Sequence, residues 1–303
     1  MIERVLGGAG TPVVIVPFTF DVADYQPWAG TAGGGDTGLF AKAVDSADEV
    51  AAAKLAGRAV RKPLLLDLGE PAQVRGAFGG LDVVVHLAAT IHADAAWSTV
   101  SRNNIDATHN VLEECVRSGV RRFVFASSNH TQAADFFTSL DPAAPGGMCA
   151  LRSPDLPLAT LAAPAAPDGF YALSKLLGED MCKFFSCRHG LETVCLRIGW
   201  FKGGHLASEE AQLAELAELK GGPAHDYMRA MWLSREDALQ TFRAACTTGN
   251  LPAAWPDSAT GPFGLAYAVS NNTRRLFDLD ESVKLLGYSP RDDYDTFAAS
   301  LCE

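Results

Sequence analysis

From Leu81 onward, two hydrophobic patterns alternate along the chain. The first is a short, nearly continuous apolar run with a β-branched or aromatic centre: Asp82-Val-Val-Val-His-Leu-Ala-Ala, Arg122-Phe-Val-Phe-Ala-Ser-Ser and Glu192-Thr-Val-Cys-Leu-Arg-Ile-Gly. Runs of that length, apolar on both faces, read as buried parallel strands. The second has helical spacing. Asn104 to Ser118 puts Ile105, Val111, Leu112, Cys115 and Val116 on one side and closes at Gly119, and Tyr171 to His189 forms a long helix stopped by Gly190. Strand and helix in turn, at short loop spacing, predict an α/β fold, a Rossmann-like doubly wound parallel sheet.

Residues 132–167, rich in Ala and Pro, read as a surface insertion, and the stretch Phe201 to Asp226 holds a helix over Ser208 to Leu219. Beyond Met231, a helix over Arg235 to Ala245 and the tail Asn271 to Leu301 predict a small C-terminal substrate lobe. The expected division is a dinucleotide-binding domain over 1–200 and a smaller lobe over 201–303, packed together as one unit. Residues 1–66 are atypical. Arg4-Val-Leu-Gly-Gly-Ala-Gly opens like a Gly-rich turn but runs on into Thr11-Pro12-Val-Val-Ile-Val, a strand pattern. Gly33, Gly35 and Gly38 satisfy G-x-G-x-x-G ahead of a helical run, without a clean strand before them. A phosphate cradle and a plain Gly-rich loop both remain open there.

Composition narrows the class. Hydrophobic residues make up 48% of the chain, enough for a large core. The formal net charge of −11 argues against nucleic acid or an anionic membrane as partner. The seven cysteines are scattered without zinc spacing, so free thiols and no metal are expected. No run reaches the roughly 18 to 20 apolar residues of a membrane span, which makes a cytoplasmic protein the expectation.

The chemistry gathers at Tyr171-Ala-Leu-Ser-Lys175, which sets a phenol and an ammonium one helical turn apart. A tyrosine is a poor base at neutral pH, and a cation one turn away favours its phenolate. Ser127 and Ser128 end a buried strand at the carboxyl edge of the sheet, where a serine can hold the reacting oxygen. Asn129 and His130 follow, offering an amide and an imidazole to a polyhydroxylated ligand.

Six motifs in order, Asp67-Leu68, His86-Leu-Ala-Ala, Asn104-x-x-x-Thr108, Phe123-Val-Phe-Ala-Ser-Ser, Tyr171-x-x-x-Lys175 and Leu196-Arg-Ile-Gly, resemble the extended short-chain dehydrogenases, the NAD-dependent epimerase/dehydratase group. Ala126-Ser-Ser-Asn-His-Thr131, Met231-Trp-Leu-Ser-Arg-Glu-Asp237 and the tail Ser270-Asn-Asn-Thr through Leu286-Gly-Tyr-Ser-Pro resemble its uronate dehydrogenases. That resemblance implies NAD as cofactor and oxidation of a sugar CH–OH, C1 of a hexuronic acid giving its aldarolactone. It implies Tyr171, Lys175, Ser128 and Asn104 as catalytic residues, Asn104 supporting the lysine. On the cofactor side it implies Asp67, Leu68, Leu87, Ala88 and Ala89 beside Tyr171 and Lys175. For the substrate it implies Ser127, Ser128, Asn129 and His130, with Arg229 as receptor for a carboxylate. A nucleotide-sugar epimerase or dehydratase, a carbonyl reductase, and a non-catalytic Rossmann-fold protein with a degraded cofactor site are the alternatives. The partner is a sugar acid or nucleotide sugar, and the group often forms homo-oligomers.

Overall fold

The computed structural model describes residues 66–91, 95–137, 157–201, 223–254 and 261–300. Gly33, Gly35 and Gly38, and the helix expected over Ser208 to Leu219, lie outside the described residues.

In chain order the elements are α1 (Pro71–Val74), β1 (Val83–His86), α2 (Trp97–Val100), a π-helical stretch (Ser101–Asp106), α3 (Ala107–Ser118), β2 (Arg122–Ser128), a 3₁₀ helix (Asn129–Phe136), α4 (Phe170–His189), β3 (Glu192–Ile198), α5 (Pro223–Ala230), α6 (Arg235–Thr247), β4 (Phe263–Ala268), α7 (Asp280–Leu286) and α8 (Tyr294–Ser300). The strands form one sheet in the order β1-β2-β3-β4, with β1 and β2 parallel and Val83 opposite Arg122 through His86 opposite Phe125. This is the Rossmann-like α/β architecture that the strand–helix alternation predicts. All seven residues of β2 are buried, as its unbroken apolar run requires of a strand covered on both faces.

By contacts the chain divides into two compact units, Met1–Phe125 with Leu177–Val194 and Pro252–Phe263, and Ala126–Leu176 with Cys195–Leu251 and Gly264–Glu303. In the first, α4 lies close on β2 because Gly178 has no side chain: a Cβ there would fall 2.3 Å from Phe125 Cζ. In the second, an aromatic core gathers Phe136, Phe137, Trp200, Tyr227, Trp232, Tyr267 and Phe277.

Two expectations change here. Ala133, Phe136 and Phe137, at the start of the supposed surface insertion, are core residues. The far end of the segment is tied in as well, since Ala166 N donates to Thr131 O at 2.8 Å and Ala159 N to Leu276 O at 2.8 Å. Ala/Pro content is a poor guide where two phenylalanines supply the anchor. The helix expected from Asn104 begins as a π turn over Ser101–Asp106 and becomes α only at Ala107. The widened turn faces Asn104 inward, where it is buried.

Five cysteines among the described residues, Cys115, Cys182, Cys187, Cys195 and Cys246, are free thiols. No described helix is long and apolar enough to cross a membrane, and no cluster of described His, Cys, Asp or Glu side chains could hold a metal ion.

Candidate active site

The carboxyl end of β2 turns directly into the 3₁₀ helix, and Ser128 is the hinge. Its hydroxyl oxygen accepts the His130 N–H at 3.2 Å, capping that helix, while its carbonyl accepts Thr131 Oγ1 at 2.9 Å. With its oxygen engaged by His130, the Ser128 hydroxyl donates to the phenol of Tyr171.

Helix α4 carries Tyr171, Lys175 and Gly178 on one face, at spacings of four and three. Lys175 is 3% exposed; its Nζ donates to Ala126 O of β2 at 2.7 Å and lies 5.7 Å from the centre of the Tyr171 ring. The imidazole of His130 meets that ring edge-on at 6.0 Å, and His130 Nδ1 is 2.6 Å from Asp168 Oδ2. Asp168, with its side chain 8% exposed, stands two residues before α4. Asn129 Nδ2 donates to Tyr227 Oη at 2.8 Å and reaches Met231 Sδ at 2.9 Å.

Burial pushes the Tyr171 phenol above its ordinary pKa; the Ser128 hydrogen bond opposes this, and the Asp168 charge adds to it. That reverses the sequence expectation of a phenol lowered by Lys175. The ammonium lies against β2 and the ring, so desolvation and a nearby carboxylate outweigh it. Burial likewise raises the Tyr227 phenol strongly, with Asp168 contributing.

The remaining expected residues fall in two groups. In the first unit, Leu87 emerges 37% exposed at the end of β1, followed by the small Ala88 and Ala89. Asn104 fastens that loop: its Oδ1 accepts Thr90 N at 2.7 Å and its Nδ2 donates to Thr90 O at 3.0 Å. Its carbonyl accepts Thr108 Oγ1 at 2.5 Å. Asn104 thus braces the turn after β1. Asp67 Oδ1 accepts Gly69 N at 2.9 Å, and its other oxygen pairs with Arg102. Leu68 is fully buried, and its carbonyl accepts Asn110 Nδ2 at 2.8 Å. The Leu68 side chain therefore belongs to the core, because the preceding turn points it inward.

Arg229 departs most from expectation. Its guanidinium pairs with Asp295, lies 3.8 Å from Asp226 and sits 5.2 Å from the centre of the Tyr294 ring. It was expected to await a substrate carboxylate and instead has one from its own chain. Asp168 and Tyr227 were missed. The Asp-Gly pair before the α4 helix was the available signal for Asp168. For Tyr227 the signal was its place one turn ahead of Met231 in the Met231-Trp-Leu-Ser motif.

An NAD site can be tested against these donors. A lysine and a tyrosine one turn apart offer the ammonium and phenol that a ribose diol accepts. Small residues after β1 let a flat ring lie close to the backbone. Both sets fit the cofactor.

Residues 41–212 match the sequence pattern of the NAD dependent epimerase/dehydratase family. The L-arabinose 1-dehydrogenase (NAD(P)(+)) of Haloferax volcanii is 35% identical over 77% of this chain and 83% of its own length. A uronate dehydrogenase of Pseudomonas putida is 28% identical over 78% of this chain and 70% of its own. Among solved structures, the uronate dehydrogenase from Agrobacterium tumefaciens shares the fold, with a TM-score of 0.57 at 22% identity over 81% of this chain and 74% of that one.

Proposed function

Because the chain belongs to the NAD dependent epimerase/dehydratase family, whose members are NAD-dependent enzymes, we propose that it oxidises the C1 hydroxyl of a free cyclic sugar to the lactone. The observation that carries this reading is the convergence, within one compact unit, of Ser128 and His130 on the Tyr171 phenol, with Lys175 behind the ring.

Bound NAD would supply the hydride acceptor for C1. The proton of the C1 hydroxyl goes to Tyr171 as the general base. Ser128, fixed by its bond to the His130 amide, holds the same oxygen through its hydroxyl. Lys175 would hold the cofactor ribose, and its positive charge near the ring favours the phenolate that takes the proton. Asn129 and the His130–Asp168 pair bind the ring hydroxyls, and Ser127 sets the end of the strand. Within the first unit, Leu87, Ala88 and Ala89 are assigned to the cofactor; Asn104 braces their loop and Asp67 accepts from its own turn. Residues 1–200 are assigned to binding the cofactor and 201–303 to a smaller substrate-binding lobe. The support for this division is Tyr227, from the second stretch, meeting Asn129 from the first.

The resemblance to uronate dehydrogenases points to a hexuronic acid and an aldarolactone; the relative at 35% identity acts on a neutral sugar. Both are C1 oxidations of free sugars. Absorbance at 340 nm with NAD and a panel of free aldoses and uronic acids tests the shared reaction. NADH formation is expected. Its absence with every free sugar, together with turnover of a UDP-sugar, would shift the assignment to an epimerase or dehydratase.

The pH dependence of kcat/KM gives a second check. The base works as phenolate, and its pKa is raised, so the rate should climb with pH past neutrality. Asp168→Asn removes a negative charge that disfavours the phenolate, so the limb should move to lower pH. A limb that stays put, or moves up, would remove Asp168 from the control of Tyr171.

A further inference from the structure

The charges that face Asn129 and His130 can be read side chain by side chain. Helix α5 and the turn that follows it present Tyr227 and Met231 to the Asn129 amide, and Met231 N donates to Tyr227 O at 3.2 Å, so the helical turn continues through both. Arg229 is two residues past Tyr227, about 200° further around a helix of 3.6 residues per turn. It therefore points away from Asn129, and Asp295 and Asp226 occupy its fork. A substrate carboxylate would have to displace Asp295 to reach it.

On the side that does face Asn129, the contacts of Asn129, Tyr227 and His130 are with neutral groups and with Asp168, not with a cation. Tyr227, 5% exposed, accepts from Asn129 and so has its own O–H to donate, as a neutral group. Asp168 is a buried carboxylate whose charge bears on both Tyr171 and Tyr227. His130 is bound to Asp168, so even its protonated form is offset. Lys175 is drawn to Ala126 O and the Tyr171 ring. A carboxylate entering here meets a like charge and neutral donors, and loses its water shell without a counter-ion.

We propose that Asn129, Tyr227 and the His130–Asp168 pair select a neutral aldose, one bearing hydrogen or CH₂OH at C5, and reject the same sugar carrying a carboxylate. Exclusion by an unpaired like charge is how a site separates ligands that differ by one group. The inference rests on the C1-oxidation reading and deepens it.

Galactose and galacturonate differ only at C6, and arabinose lacks that carbon, so the three isolate the charge. With the full chain and saturating NAD, kcat/KM for galactose and arabinose is expected to exceed that for galacturonate by about a hundredfold. Galacturonate used as well as galactose, or better, overturns the selectivity and leaves C1 oxidation standing. No NADH from any of the three removes C1 oxidation, and the inference with it. Arg229→Gln adds an independent arm, read alongside its melting temperature to confirm folding. The galactose-to-galacturonate ratio should not move. A selective rise in KM for galacturonate would make Arg229 the carboxylate receptor and overturn the proposal.

Discussion

Tyr171→Phe is expected to reduce turnover by about 10³-fold, the scale of a lost general base, while NAD binding survives. The substitution removes one oxygen from a ring that keeps its place. The ring still has His130 at its edge and the Lys175 ammonium 5.7 Å from its centre. What disappears is the proposed acceptor for the C1 proton and the partner of the Ser128 hydroxyl. Steady-state rates at 340 nm read the first effect. The melting temperature with and without NAD reads the second, since a ligand at a hundred times its Kd stabilises by roughly 2.7 kcal/mol. Equal NAD-induced shifts in the two proteins, with the rate lost only in the variant, fit the assigned role. Full activity in the variant would remove Tyr171 from the chemistry. Absence of any NAD shift in the wild type would favour a protein that keeps the fold without using the cofactor.

Gly199→Ala is expected to cost about 3 kcal/mol of stability, at the upper end for overpacking, and to lower the melting temperature by about 5 °C or more. A Cβ at this position would lie 2.1 Å from Met231 O and 2.5 Å from Val269 Cγ1. Neither obstacle can swing aside easily. Met231 O accepts Trp200 N at 2.8 Å, Leu233 N donates to Trp200 O at 2.9 Å, and Ser270 N donates to Trp232 O at 2.9 Å. The chain just beyond β3 is thus knitted to the segment after α5, and only a residue without a side chain fits the crossing. The same crossing seats Met231 and Tyr227 on Asn129, so KM for the sugar should rise in whatever fraction still folds. Thermal unfolding and sugar KM on one preparation check both effects. An unchanged melting temperature would mean that the two segments do not approach as described.

Much of the site was legible before any coordinates. The Tyr171–Lys175 spacing requires both side chains to share a helix face, because i and i+4 are neighbours on any α-helix. The unbroken apolar run ending in Ser127-Ser128 required a strand buried on both faces, which in turn placed Ser128 at its edge. Gly199 was visible within Leu196-Arg-Ile-Gly, although nothing local says why it must be glycine. Composition misled at residues 133–137, where two buried phenylalanines outweigh the Ala/Pro content that follows.

The sequence by itself determined the alternation of strands and helices, the shared face of Tyr171 and Lys175, and the position of Ser128, because each follows from an unbroken apolar run or a period of 3.6 acting over a few residues. Tertiary structure decided the rest. Asn129 meets Tyr227 across 98 positions, His130 meets Asp168 across 38, and Arg229 meets Asp295 across 66. No local period relates residues so far apart; which partner each finds depends on how the elements pack. That packing set Asp168 beside His130 and Tyr227 beside Asn129, and it turned Arg229 from an expected carboxylate receptor into half of an internal ion pair.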